Sequence, residues 1–63
     1  RIVSGDKLIQ RIILYSMSGE ELKTQYIDNK FADLTISDLI YGMYILEIVF
    51  DDNKLIKRKI MKD

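Results

Sequence analysis

The chain has 63 residues, 48% of them apolar, which suits a single small domain with a compact core. Ten basic residues balance ten acidic ones, and this argues against a strongly basic nucleic-acid module and against an acidic disordered segment. With no Cys and no His, the sequence excludes a disulfide framework, thiolate or imidazole metal ligands, and the usual general base at neutral pH.

The beginning of the sequence has neither an initiator Met nor the pattern of a signal peptide, since Arg1 is followed at once by two β-branched residues. We therefore expect the chain to be a piece of a longer protein. The longest apolar stretch, residues 39–50, contains Gly42 and Glu47 and is too short to cross a bilayer as a helix. β-Branched and aromatic residues are abundant, and this composition favours strands.

The first long predicted strand spans residues 9–16, after a short strand-like start at residues 2–3. Period-two alternation places Ile12 and Leu14 on the core face and Ile13 and Tyr15 on the opposite face. Because that opposite face is more apolar than a solvated face, we expect it to be partly covered.

A hairpin and a short strand follow. Residues 17–20 predict a turn in which Gly19 takes a positive φ, and residues 20–27 predict the returning strand. Residues 28–30 close that strand with polar side chains. A shorter alternation at residues 34–37 predicts a further strand that ends in a Ser-Asp turn.

The segment 44–50 predicts the main core strand. We expect Tyr44, Leu46 and Ile48 to be buried on one face and Glu47 to be exposed on the other, because only this phase groups the apolar side chains. Gly42 lies just before this strand, where we expect a backbone conformation or a close approach that a side chain would not allow.

The last predicted hairpin turns at residues 51–54 and returns as a strand over residues 55–61. In that strand Ile56 and Ile60 face inward, while Arg58 falls on the same face and is expected to extend to an edge. About six short strands without a helical pattern predict an all-β sandwich or barrel.

Three polar clusters resemble sites but lack their essential partners. Ser16 and Ser18 flank a turn without the Gly-x-Ser-x-Gly pattern or a base, so a turn is the stronger interpretation. Residues 51–53 lack the spaced ligands of a calcium loop and predict a hairpin turn. Glu20 and Glu21 are neighbours on a strand and point to opposite faces, so they do not form a carboxylate pair. No catalytic, metal or cofactor site is predicted.

Charge is segregated along the chain. The last ten residues carry five cations and one anion, so the first 53 carry a net charge of −4. A solvated edge strand is the leading interpretation, because no aromatic residue lies among these lysines to build a nucleic-acid platform. A nucleic-acid surface is the second interpretation, and recognition of this strand by another protein is the third.

Two segments, residues 34–48 and residues 57–62, resemble the type A C-terminal sorting domain of the type IX secretion system (Por secretion system) of Bacteroidetes. The family pattern has an apolar-Tyr hairpin with Gly, a Gly-x-Tyr entry into an alternating strand, and a closing Lys-rich strand. This sequence departs from it in three ways: Ser16 replaces a frequent Asp, residues 40–41 replace a Pro-containing turn, and the upstream Pro-Asn-Pro segment is absent. The positions that match the signature are Gly19, Gly42, Tyr44, Lys57, Lys59, Ile60 and Lys62.

The resemblance implies an all-β, Ig-like antiparallel β-sandwich of about six to seven short strands, with an N-terminal strand missing from residues 1–63. It implies a non-catalytic signal that directs an attached cargo through the periplasm and the outer-membrane translocon, for release or surface attachment. Its implied partners are the translocon, a sortase-like protease and the cargo domain, without nucleic acid. The missing strand would expose a sheet edge, so a strand-exchanged homodimer is a further expectation.

The competing class is a generic Ig-like or fibronectin-like module of an extracellular protein that binds carbohydrate or packs against a neighbouring domain. Glycan binding needs exposed aromatic side chains, and Tyr15, Tyr26 and Tyr41 are the candidates.

Overall fold

The computed structural model describes residues 2–3 and 5–63, with the backbone alone for Val3. It contains strands and turns, and no helix among the described residues. The strands are β1 (Ile2–Val3), β2 (Ile9–Ser16), β3 (Glu21–Asn29), β4 (Phe31–Ala32), β5 (Gly42–Phe50) and β6 (Leu55–Lys62). The all-β prediction is confirmed, and the predicted bounds of β2 agree with the structure.

The main element is a four-stranded antiparallel sheet with the order β3-β2-β5-β6. Tight turns join β2 to β3 and β5 to β6, so both hairpins of the sheet connect strands that are adjacent in sequence. The central pair is β2 and β5, which come from different hairpins and are joined by register pairs such as Leu14 with Leu46. This arrangement leaves β3 and β6 at the two edges.

One face of this sheet, which we call the inner face, carries the core. Its buried side chains come mainly from the central strands, where alternate residues point to the same side. A second layer, made by the β1–β4 pair and the segment 33–41, packs against it through Ile2, Ala32, Leu34 and Leu39. The buried core residues are Ile9, Ile12, Leu14, Ala32, Tyr44, Leu46, Ile48 and Phe50.

The predicted strand at residues 34–37 is wrong. Residues 33–36 carry no strand pairing, and the chain turns at residues 37–38, where the Leu39 amide donates to the carbonyl of Ile36 at 3.0 Å. Instead, the missed strand β4 precedes this segment, and β3 extends two residues beyond its predicted end. The segment lies on the inner face and is held there by Lys23, which donates to the Thr35 carbonyl at 2.7 Å and to Asp38 at 2.6 Å.

The predicted exposure of Glu47 is also wrong. Its side chain is only 12% exposed, and its Oε2 lies 3.7 Å from Lys57 Nζ. Glu47 occupies a central strand, opposite Ile13 on one side and Lys57 on the other. Neighbours on both strands cover its stem, so facing away from the core is not sufficient for exposure.

The opposite face of the sheet, which we call the outer face, carries Ile13 and Tyr15 as predicted. Ile13 and Val49 are buried there by their neighbours in the sheet, since the second layer packs against the inner face. The outer face is thus partly covered, as predicted, by neighbours within the sheet and not by a second layer of described residues. The Ig-like sandwich, the missing strand and the strand-exchanged homodimer stay predictions.

Candidate recognition surface

The strand β6 forms one edge of the sheet and pairs with β5 alone among the described residues. Its side chains are exposed except for Ile60 and Lys62, which are half-buried. Ile60 lies opposite Tyr44 and packs against the core. The strand is therefore attached to the domain by its ladder with β5 and by the packing of Ile60, while most of its side chains remain accessible.

The register with β5 assigns the β6 cations to different faces. Lys57 pairs with Glu47 and Lys59 with Ile45, so both lysines lie on the outer face. Arg58 pairs with Leu46 on the inner face, as the sequence predicted, and its side chain is exposed. Because the exposed Arg58 side chain adds little buried apolar surface, the inner face is open to solvent at the middle of β6.

Only part of this charge is compensated within the domain. Lys57 pairs with Glu47 at 3.7 Å, and Lys62 Nζ lies 5.8 Å from the centroid of the Tyr41 ring, a cation–π geometry. Neither Arg58 nor Lys59 forms an ion pair with another described residue. The cationic charge at the middle of β6 is thus presented to solvent.

The β5–β6 turn determines which backbone groups of β6 point outward. The Phe50 amide donates to the Lys54 carbonyl at 2.8 Å, and Asn53 lies within the turn with a φ of 70°. Since hydrogen-bonded and non-hydrogen-bonded pairs alternate along an antiparallel ladder, the even-numbered residues of β6 bond to β5. The outward-facing N–H and C=O groups belong to Leu55, Lys57, Lys59 and Met61.

Most of the signature positions predicted from the sequence come together at one end of the sheet. Tyr44 pairs with Ser16 on one side and Ile60 on the other, Gly42 pairs with Lys62, and Gly19 lies in the turn that follows Ser16. The remaining two, Lys57 and Lys59, lie further along β6. Three separate stretches of sequence thus meet at this end.

Gly42 and Tyr44 each have a defined structural role at the start of β5. Gly42 has a φ of 147°, which L side chains rarely adopt, and a Cβ built there would meet no heavy atom within 4 Å. The backbone conformation therefore requires Gly, while the alternative of a close approach is wrong. The segment just before β5 bends back toward the strand, and the Tyr44 hydroxyl donates to the Ile40 carbonyl at 2.7 Å. Tyr44 can then place its ring in the core with its polar end paired.

The polar clusters considered from the sequence are structural. The hydroxyls of Ser16 and Ser18 lie 2.8 Å apart, and the Glu20 amide donates to Ser16 Oγ within the turn. In the β5–β6 turn the Lys54 amide donates to Asp52, which lowers the pKa of that carboxyl. Across the part of the chain that the structure describes, no group of three or more possible metal ligands is found.

Sequence reasoning missed the contact between Lys23 and Asp38. The ammonium group of Lys23 donates to the carboxylate and lowers the pKa of Asp38. The only signal was a cation at an inward position of β3, opposite Leu14. It was not informative alone, because the position of the Ser-Asp turn relative to β3 was not predicted.

The tyrosines proposed for glycan binding separate into two groups. Tyr15 and Tyr26 line one depression on the outer face, together with Arg11, Thr24 and two carboxylates, Glu21 and Glu47. Burial and these two carboxylates raise the pKa of Tyr15. Tyr41 lies elsewhere, beside Lys62.

The fold is that of a small all-β domain with one exposed, cationic edge strand. A family model described as "Secretion system C-terminal sorting domain" matches residues 2–62, and the chain belongs to this family. The family is that of the type IX secretion signal, whose members are generally non-catalytic and whose signal implies export across the outer membrane. No curated protein and no solved structure matches. In the described residues, no helix is long and apolar enough to span a membrane.

Proposed function

We propose that residues 1–63 act as one sorting domain that directs an attached cargo from the periplasm through the type IX outer-membrane translocon. A sortase-like protease then acts on the exported protein, which is released or attached to the surface. The family match is the observation that carries this proposal. The domain itself supplies no chemistry; its contribution is a folded surface that the machinery recognises.

The recognition element is proposed to be β6 with the adjoining Gly42–Tyr44 end of the sheet. The cations of β6 contribute little to the core, because Lys57 and Lys59 lie on the outer face and Arg58 is exposed. Ile60 has the opposite role, since it holds the strand against Tyr44. A partner can therefore contact the strand without unfolding the domain.

A secretion assay tests this proposal. A folded reporter is fused ahead of the domain and followed in a type IX-competent host and in a translocon mutant. We expect the reporter in the medium or on the surface of the competent host and in the periplasm of the mutant. Equal distribution of the reporter in the two hosts would contradict a sorting function.

The role of the basic charge is tested by the double variant Lys59→Glu/Lys62→Glu. Its matched control is Lys30→Glu/Lys54→Glu, which changes the net charge equally at exposed positions outside β6. Surface substitutions change stability by about 0.5 kcal/mol or less each, but Lys62 is half-buried beside Tyr41, so the folding of both variants is verified by circular dichroism before export is compared. We expect impaired export for the β6 variant alone. Wild-type export by the folded β6 variant would show that the charge is incidental.

Saccharide binding is the second candidate function, supported by the depression that Tyr15 and Tyr26 line. Tyr26 is 78% exposed and can stack on a sugar ring, while Glu21 and Arg11 offer hydrogen-bonding groups beside it. Titration with soluble oligosaccharides tests it: Tyr26→Ala should abolish binding and leave export unchanged. If the domain supports export but binds no saccharide, saccharide binding is rejected and the sorting function is still supported.

A further inference from the structure

The edge of β6 has the features of a surface that accepts another strand. Four residues, Leu55, Lys57, Lys59 and Met61, direct their backbone N–H and C=O groups away from β5, and no described strand pairs with them. Unpaired edges of this kind are templates for strand addition, in which backbone bonds give affinity and alternate side chains give specificity. β6 offers such a row over most of its eight residues.

The charge of this edge is informative about what can pair with it. β6 carries Lys57, Arg58, Lys59 and Lys62 and no acidic residue. The opposite edge strand, β3, has mixed charges, and its Lys23 is already bound to Asp38. The two edges of the sheet are therefore electrostatically different, and only β6 is uniformly cationic.

A second copy of the chain is a poor partner for β6. Two antiparallel registers give the fullest overlap through the outward groups. In one, Lys57 would lie opposite Lys59 of the second copy and Arg58 opposite its own equivalent; in the other, Lys59 would lie opposite its own equivalent. Like charges directly opposite each other destabilise a strand pair. The lysines thus protect the edge against self-association while leaving it open to an oppositely charged strand.

We propose that β6 binds an extended segment of a partner protein by antiparallel strand addition, and that this segment carries acidic residues at alternating positions. Two acidic side chains, two residues apart, would face Lys57 and Lys59 on the outer face, because directly opposed residues share a face of the sheet. Backbone bonds would form at the outward groups of Lys57, Lys59 and Met61. The proposal rests on the proposed function, for which it specifies the chemistry of recognition.

The direct test is peptide binding to the 63-residue chain. The probe is a short, end-blocked peptide of alternating threonine and glutamate, and its control is the same peptide with lysine in place of glutamate. We expect the glutamate peptide to bind at least about tenfold more tightly in dilute buffer, with weaker binding as salt is added. Equal binding of both peptides, or no binding of either, would overturn the proposal.

A proline variant separates strand addition from simple charge attraction. Met61→Pro removes an outward-facing N–H and keeps every charge, at an edge position where proline is tolerated. Met61→Ala is the control for the side chain, which is 65% exposed. With folding verified by circular dichroism, Met61→Pro should weaken the glutamate peptide about 2- to 10-fold, the value of one hydrogen bond. Unchanged binding by Met61→Pro would overturn strand addition.

The secretion reporter distinguishes this failure from failure of the sorting function. If the domain binds the glutamate peptide but does not support translocon-dependent export, the sorting function is contradicted and the strand-addition site is still supported. If the domain supports translocon-dependent export but does not bind the peptide, strand addition is contradicted and the sorting function is still supported.

Discussion

The substitution Leu46→Ala tests the central packing of the sheet. Leu46 is 6% exposed and lies between Leu14, which is fully buried, and Arg58, which is exposed. Shortening a buried Leu to Ala costs about 2–5 kcal/mol, and the value depends on how completely the site relaxes. Because the Arg58 side of the site is open, we expect the lower half of that range, about 2–3 kcal/mol. A domain of this size has about 3–9 kcal/mol in total.

The measurement is urea unfolding followed by far-ultraviolet circular dichroism, with Leu14→Ala and Met61→Ala for comparison. Leu14 is fully buried, whereas Leu46 borders the exposed Arg58, so truncation of Leu14 should cost about 3–5 kcal/mol, more than that of Leu46. Met61 is exposed, and its truncation should change stability by about 0.5 kcal/mol or less. For such a small domain each kcal/mol lowers the thermal midpoint by about 4–8 °C.

The order of the three variants is the decisive result. If Leu46→Ala were no more destabilising than Met61→Ala, the assignment of Leu46 to the core would be refuted. If Leu46→Ala exceeded Leu14→Ala, the inner face would not be open at Arg58. The volume-conserving variant Leu46→Met, expected to cost less than about 1.5 kcal/mol, separates loss of volume from loss of shape.

Three further changes test the start of β5 and the segment before it. Gly42→Ala should destabilise by about 1–3 kcal/mol through backbone strain, measured by urea unfolding, and a neutral result would contradict the need for its φ of 147°. Tyr44→Phe should cost about 0.5–1.5 kcal/mol for the lost bond to Ile40, and equal unfolding midpoints would show that this bond contributes nothing. Asp38→Asn should lower stability chiefly near neutral pH, because the hydrogen bond from Lys23 lowers the pKa of the Asp38 carboxyl in the folded state. The stability that this carboxylate contributes is complete above its ordinary pKa of 3.8 and is lost as the pH falls through its pKa in the folded state. A wild-type and Asp38→Asn difference that does not vary between acid and neutral pH would contradict that linkage.

The period-two pattern predicted the parts of the fold in which strands pair with immediate neighbours. β2, β5 and β6 were located from alternation and turn residues, because each has apolar residues alternating along one face and belongs to a tight hairpin. The segment 33–41 has a similar local alternation but crosses the inner face without pairing. Its conformation depends on contacts with Lys23 and the core, and these are distant in sequence.

Glu47 shows a second limit of sequence reasoning. Alternation assigns a residue to a face, and that assignment was correct, but the exposed fraction depends on the flanking strands. A neighbour on either side covers the stem of Glu47, and this required the β2–β5 pairing, which joins strands from different hairpins. The individual positions of the recognition surface were predicted from the sequence. That Gly19, Gly42 and Lys62 lie close together at one end of the sheet was not predicted.

The two sides of β6 explain how one strand can be both part of the fold and available to a partner. Its even-numbered backbone groups and Ile60 hold it to β5 and the core, while its odd-numbered backbone groups and two outer-face lysines are directed away. Changes on the first side should lower stability and export together. Changes on the second side should lower export alone, because the core contacts are retained. A strand in the middle of a sheet could not be divided in this way, since both of its edges are already paired.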